Sequence, residues 1–370
     1  MPRKPPKARS VETKALVTLK AAGARSDVLD SRLAYMEAEG LGRYARALLP
    51  MGHPLRPKAT EVEYRDGRVY PHVLPTAQAS FRTSTTQPPL VNFPSRDGYG
   101  VAWGMILPDP GFVWAHFDMN ALHARIAVAY THDPIDREAF RQGWDIHTVT
   151  ACEIFGHPMP PIRTKECHES PECEAWRASW TPPWTGEKDR RRRIAKVFRY
   201  ALLLGQDERA ALESKDVAQL GLTEEEILKF GRMYLRAKPY LVQAKRALFR
   251  KFAAERVART FRGSLRRLYG SAAQKGKDGW SHVLQGAEQD IMKEIIGDLH
   301  DAFPFIRYVL DSHDGYTFEV PEERWSEALY RQMRAVVDRT WTIEGQDIWL
   351  PSDWELITTD GQVIPLGASS

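Results

Sequence analysis

The chain has 370 residues, with 52 Lys and Arg against 48 Asp and Glu and a formal net charge of +4. This is the composition of an ordinary soluble globular protein, long enough for a large core in two or three subdomains. No apolar run approaches the ~18 residues of a membrane span, and three cysteines cannot all pair within the chain, which favours a reducing cytoplasm over a disulfide scaffold.

The opening MPRKPPKARS is basic and proline-rich with no apolar region behind it, so it is not a secretory signal, and residues 1–12 are expected to form a disordered arm. Residues 13–49 read as helices and 50–57 as a linker. EVEYRDGRVYPHVL (61–74) alternates around Asp66-Gly67 and predicts a hairpin. Residues 76–98 are polar, with prolines at 88, 89 and 94, and predict an ordered loop.

VWAHFDMN (113–120) reads as a buried strand ending in Asp118, with Asn120 capping the next helix. A carboxylate at the C-terminal end of a strand is well placed to hold a metal, though a lone Asp there is more often a turn or cap residue. Residues 152–186 are irregular and carry all three cysteines. Cys167, His168 and Cys173 lie close together, but their CH-x4-C spacing lacks the paired short intervals of a structural zinc site.

RRRRIAKVFRYALLLG (190–205) reads as a helix. Arg192, Lys196 and Tyr200 are four residues apart and share one face, while Val197, Ala201 and Leu204 can pack on another. Two cations and a ring in line suit a nucleoside triphosphate. Basic residues cluster here and in 236–267, which points to a phosphate-rich partner. Residues 223–262 read as long helices broken at Pro239. A glycine-rich loop at 270–279 carries Lys275 and Lys277, which suit backbone phosphates. Helix 282–302 should bury Leu284, Ala287, Ile291, Ile295 and Leu299. IRYVLDSHDGYTFEV (306–320) predicts a hairpin turning near Asp314-Gly315, followed by a helix at 323–338 and a strand at 348–356.

Several of these stretches together resemble the family A DNA polymerases, relatives of bacterial DNA polymerase I. They are Arg82-Thr83-Ser84 with Pro88 to Pro94; Asp118 to Arg125 followed by Ala127, Tyr130 and Asp133; and Asp145-Ile146-His147. The series continues with Arg192, Lys196 and Tyr200, then KPYL at 238–241, LRRLYG at 265–270, Gln285-Gly286, His313-Asp314 and IWLPSDWEL at 348–356. The motifs run in the family's order over roughly residues 62–356. The resemblance implies an α+β right-hand fold with an antiparallel palm sheet and helical fingers. It places palm at 61–150 and 263–370, fingers at 151–262, and a reduced or absent thumb at 13–60, with no 3′→5′ exonuclease domain.

The same resemblance implies the site. Asp118, the Met119 carbonyl and Asp314 would hold two Mg²⁺ ions. Arg192, Lys196, Tyr200, His147 and His123 would meet the nucleotide, with Lys196 also giving a proton to pyrophosphate. Arg82, Ser84, Asn92, Gln285, His313 and Lys277 would meet DNA. The implied partners are a DNA primer–template and deoxynucleoside triphosphates. A small thumb would leave processivity to a partner protein, and the chain is expected to act as a monomer.

Three positions depart from the family pattern. His123 stands where the family usually has the Glu that blocks the ribose 2′-hydroxyl, and an imidazole could still block that position or hydrogen-bond to it. Leu204 replaces a tyrosine that positions the templating base. Gly315 replaces a glutamate that often follows His-Asp. These departures keep two other readings open: a related single-subunit polymerase making RNA, and a DNA-binding protein with a decayed site.

Overall fold

The computed structural model describes residues 106–204, 220–312 and 314–367, with 63–65, 68–75, 78, 81–86, 90–92, 212 and 217. The expected arm and thumb-like segment (1–60), much of loop 76–98, Gly205 and His313 lie outside the described residues. In chain order, β1 (Glu63–Arg65), β2 (Arg68–Tyr70), β3 (His72–Leu74), β4 (Ser84–Thr86) and β5 (Phe112–Met119) precede α1 (Leu122–Thr131) and α2 (Pro134–Arg141). The helices α3 (Ile146–Phe155), α4 (Glu174–Ser179), α5 (Arg190–Leu203), α6 (Glu224–Ala237) and α7 (Pro239–Glu255) follow. The chain continues through β6 (Val257–Arg259), β7 (Leu265–Arg267), α8 (Ala272–Ala302), β8 (Arg307–Asp311) and β9 (Gly315–Pro321). It closes with α9 (Glu327–Val337), β10 (Arg339–Ile343), β11 (Gln346–Leu350), β12 (Ser352–Ile357) and β13 (Val363–Leu366).

These elements form two compact units. Among the described residues, one is helical and holds Gly143–Pro239; the other holds those up to Gln142 and from Tyr240 onward. The sequence had suggested 151–262 for the fingers.

The second unit is built on a five-stranded antiparallel sheet, ordered β13-β12-β5-β9-β8. Its central strand FVWAHFDM buries Val113, Trp114, Ala115, Phe117 and Met119, so both faces are covered along much of its length. Phe117 packs against Trp354 and Tyr316, with ring centroids at 5.1 and 5.9 Å. The hairpin expected for 61–74 holds in the β1–β2 pairing, where Arg65 faces Arg68. The 306–320 hairpin forms as β8 and β9. Part of the expected loop 76–98 is instead strand β4, paired with β3 so that Ser84 faces Leu74.

Helix α8 carries the predicted buried stripe, with Leu284, Ala287, Ile291, Ile295 and Leu299 all fully buried. It begins ten residues earlier than expected. Ser271 caps it, accepting from the Gln274 N–H at 3.2 Å, so the glycine-rich stretch is helix and Lys275 and Lys277 lie on its first turns. The glycines serve packing rather than a loop: a Cβ on Gly276 would sit 2.5 Å from the Phe249 ring, and one on Gly279 2.4 Å from Phe252, both on α7. Residues 257–262 are also not helical. Arg256 takes a left-handed φ of 57°, ending α7, and the chain turns into the β6–β7 hairpin.

In the helical unit α3, α5 and α6 pack together. Thr223 and Glu226 form a reciprocal capping box at the start of α6. The buried face of α5 is Ile194, Ala195, Phe198 and Leu202, with Arg192 and Arg199, rather than Val197, Ala201 and Leu204, which are half-buried. Two arginines can occupy that face because α3 supplies oxygens for them: Asp145 for Arg192 and the Thr150 hydroxyl for Arg199.

The helix-packing role of the glycines sets up a paired test. Gly279→Ala should destabilise the protein by about 1–3 kcal/mol through overpacking. Gly297→Ala, on the same helix with open space around it, should stabilise by about 0.5–1 kcal/mol. Thermal unfolding of both variants checks the opposite signs.

Candidate active site

The sheet brings two of the predicted carboxylates together. Strand β5 pairs with β9 so that Asp118 lies opposite Gly315, and the Met119 N–H donates to the Asp314 carbonyl at 2.8 Å. Both aspartates therefore stand at one end of adjacent central strands. Asp118 is exposed and Asp314 half-buried. Burial, and then the Glu288 charge, hold the Asp314 carboxyl above its ordinary value; His123 works against this, as does a hydrogen bond with the Asp118 carboxyl. The neutral form of Asp314 is thus favoured more than in a free aspartate. Asp353 on β12 is the other cross-strand neighbour of Asp118, and its side chain is exposed.

The turn explains Gly315. A Cβ there would lie 2.2 Å from the Phe117 carbonyl oxygen. No side chain fits, so the family's glutamate has no room at this position. Asn120 does not cap α1 as expected. The N-cap is Ala121 at a φ of 51°, without a side-chain bond. The Asn120 carbonyl instead accepts from Arg125 Nε at 2.8 Å, and its amide reaches Asp353 at 3.3 Å.

Above this end of the sheet lies a buried ionic cluster that sequence reasoning missed. Glu288 on α8 is wholly buried and accepts from Arg82 (Nη2 at 2.8 and 3.1 Å, Nε at 3.1 Å) and from His123 Nε2 at 2.6 Å. Burial opposes ionisation of Glu288, but His123 and Arg82 outweigh it and hold its carboxyl below the usual range. Arg82 and His123 are thus joined through Glu288. The signal was legible: Glu288 falls among the buried positions of the α8 stripe, where an unpaired acid would be costly. Gln285, one turn earlier, is half-buried, and its Oε1 accepts from the Ser281 hydroxyl at 3.1 Å. Asn92 lies in a short 3-10 turn.

The helical unit assembles the predicted nucleotide-binding residues around Asp145. This residue caps α3 and accepts from Arg192 Nε (2.7 Å), Arg192 Nη2 (3.1 Å) and the Thr148 hydroxyl (2.6 Å), with His168 Nε2 at 3.2 Å. Burial works against the Asp145 charge, yet bonds from His168 and Arg192 prevail and hold the carboxyl far below its ordinary range. His147 is buried beside Tyr200, with ring centroids 5.9 Å apart. Burial pushes its pKa down to about 3, Asp145 partly offsets this, and the nearby Arg199, Arg192 and Lys196 charges lower it further. His147 is therefore a neutral imidazole. Its Nδ1 is buried with no hydrogen-bond partner.

His168 and Trp184 stack with rings parallel to within 1°, and Trp184 Nε1 donates to His168 Nδ1 at 3.3 Å. With both His168 nitrogens engaged, the zinc reading loses its imidazole. Among the described residues no group of three or more His, Cys, Asp or Glu is placed to hold a metal ion.

Two tests follow from this geometry. Asp145→Asn should destabilise by about 3–5 kcal/mol, because buried Arg192 loses its counter-charge. The folded carboxyl has a depressed pKa, so its contribution is present above the unfolded value of about 4 and is lost as pH falls. The variant should therefore show a flatter acid limb when melting temperature is followed against pH. Gly315→Ala should cost about 1–3 kcal/mol by forcing β9 from β5, again read by thermal unfolding.

A family model for DNA polymerase family A matches residues 2–169. DNA polymerase I of Helicobacter pylori is 22% identical over 289 residues, covering 75% of this chain and 29% of the relative. The thermostable DNA polymerase I of Thermus filiformis is 25% identical over 291 residues, covering 74% and 30%. The chain thus spans under a third of the length of these curated relatives. Among solved structures, the POL domain of Pol1 from M. smegmatis, in complex with DNA primer-template and dNTP, superposes with a TM-score of 0.68 at 19% identity. That match covers 95% of this chain and 57% of the other. It shows the same mixed fold with an antiparallel sheet. The family model, the relatives and the superposed domain thus point to the same family that the ordered motifs resemble.

Proposed function

We propose that the chain is a template-directed DNA polymerase, adding deoxynucleoside monophosphates to a primer 3′-hydroxyl. The observation that carries this is the pair Asp118 and Asp314, set side by side at the end of adjacent strands, with burial and the Glu288 charge opposing ionisation of Asp314. Such a pair, with the Met119 carbonyl next in sequence, is an all-oxygen donor set suited to a hard divalent cation, so the residues fit Mg²⁺. Bound there, two Mg²⁺ ions would make the primer hydroxyl a better nucleophile and offset charge on the phosphates.

The chain's own residues account for the rest. Lys196 and Arg192 sit one helical turn apart on α5 and would meet the triphosphate. Asp145 holds Arg192 in a single orientation, so this guanidinium is set before substrate arrives. Lys196 would steady the leaving pyrophosphate and give it a proton. His147, neutral, would act as a hydrogen-bonding group. Tyr200 would stack by the sugar and base. On the sheet unit, Gln285, Lys277, Ser84, Asn92 and Arg82 would face the primer–template, as would His313. The partners proposed are a primer–template duplex and deoxynucleoside triphosphates. We assign palm to the sheet unit and fingers to Gly143–Pro239. No helix among the described residues is long and apolar enough to cross a membrane.

Extension of a labelled primer on a DNA template with Mg²⁺ tests this. Deoxynucleotide incorporation should fall by about 10³-fold or more in Asp118→Ala and Asp314→Ala, and by about 10²–10³-fold in Lys196→Ala. Equal extension in wild type and both aspartate variants would reject the metal pair. A preference for ribonucleotides would move the assignment to RNA synthesis.

A further inference from the structure

Resting on the polymerase reading above, we propose that Glu288 is a positioning residue for sugar selection, holding His123 and Arg82 through one buried carboxylate. Glu288 is fully enclosed and touches no solvent, so it cannot meet a substrate itself. Arg82 keeps 16% of its side chain exposed and His123 9%, against none for Glu288. Glu288 therefore acts only through them. It accepts from His123 Nε2 at 2.6 Å and from Arg82 at 2.8 to 3.1 Å, and Arg82 Nη2 lies 2.9 Å from the same His123 nitrogen. An imidazole fixed at one nitrogen by a carboxylate keeps a single ring orientation.

Three chain segments meet at this carboxylate. His123 lies at the start of α1, five residues after Asp118. Glu288 lies three residues after Gln285 on α8. Arg82 follows Phe81, whose left-handed φ of 62° turns the chain onto α8. The Phe81 ring packs edge-on against His282 at 5.3 Å, and its carbonyl accepts from Lys293 Nζ at 3.1 Å. The segment bearing Arg82 is thus moored to the helix bearing Glu288 by three contacts. Asp314 feels the charges of both Glu288 and His123, which puts the cluster next to the aspartate pair.

The sequence resemblance expects a sugar-excluding glutamate at position 123. Here the acid comes from the opposite helix, and a histidine occupies that position. The device then needs two residues: His123 to present the bulk and Glu288 to hold it. Because Arg82 shares the carboxylate, primer-end contact and sugar selection are set by the same group.

The test compares kcat/KM for a deoxynucleotide and the matching ribonucleotide on one primer–template. It uses wild type, Glu288→Gln, and the exchange variant His123→Glu with Glu288→Ala, each checked by thermal unfolding. Glu288→Gln should lower the deoxynucleotide preference about tenfold or more. The exchange variant, with its acid returned to α1 facing Arg82, should regain most of it. A purely structural defect lowers both substrates alike and leaves the ratio unmoved, so a folded Glu288→Gln with wild-type selectivity overturns the proposal. Should Glu288→Gln not fold, the exchange variant decides: selectivity near wild type supports the proposal and its loss overturns it. Failure of both to fold reduces Glu288 to a core residue and also overturns it. Absence of any incorporation by wild type would instead reject the polymerase reading, and this inference with it.

Discussion

The antiparallel pairing of β5 with β9 is the constraint on which the sheet unit depends. One backbone bond, from the Met119 amide to the Asp314 carbonyl, sets the register at which the two aspartates stand side by side. A shift of one residue would turn one of them to the opposite face. The close approach of Gly315 to the Phe117 carbonyl follows from the same register. What the sequence presents as a lost glutamate is a steric consequence of how tightly these strands meet.

Buried and half-buried carboxylates recur as anchors for basic side chains in both units. Asp145 holds Arg192 and His168; Glu288 holds Arg82 and His123; Glu153 holds Lys238; Glu319 holds Arg307 and Arg68. A buried ion pair gains little net stability against an apolar replacement, yet breaking one is costly. Its use here is geometric. Residues expected to meet phosphate, sugar or primer already have defined orientations, which lowers the reorganisation needed when charge develops. Asp145 shows the economy of the arrangement, serving at once as helix cap and counter-ion.

Helix α8 links packing to chemistry. Its glycines admit Phe249 and Phe252 of α7, its apolar stripe fills the core, and its middle delivers Gln285 and Glu288. A helix so closely packed holds those side chains more rigidly than a loop would.

Much of this was legible in the chain. Strand β5 with Asp118 near its end, the hairpin turning near Asp314, the four-residue spacing of Arg192, Lys196 and Tyr200 and the stripe of α8 all come from local periodicity and turn chemistry, which act over a few residues. The misread parts depended on distant partners. Gly276 and Gly279 look like loop residues until Phe249 and Phe252 are placed against them. Asn120 looks like a cap until Arg125 takes its carbonyl. The buried face of α5 is decided by α3, and the neutral state of His147 by its burial. The alliance of Arg82, His123 and Glu288 joins residues as much as 206 positions apart, and no local rule reaches that far. The sequence by itself determined most of the elements and where along them the candidate residues fall. Tertiary structure alone decided how those residues are paired and charged, because burial and opposite charge act through space rather than along the chain.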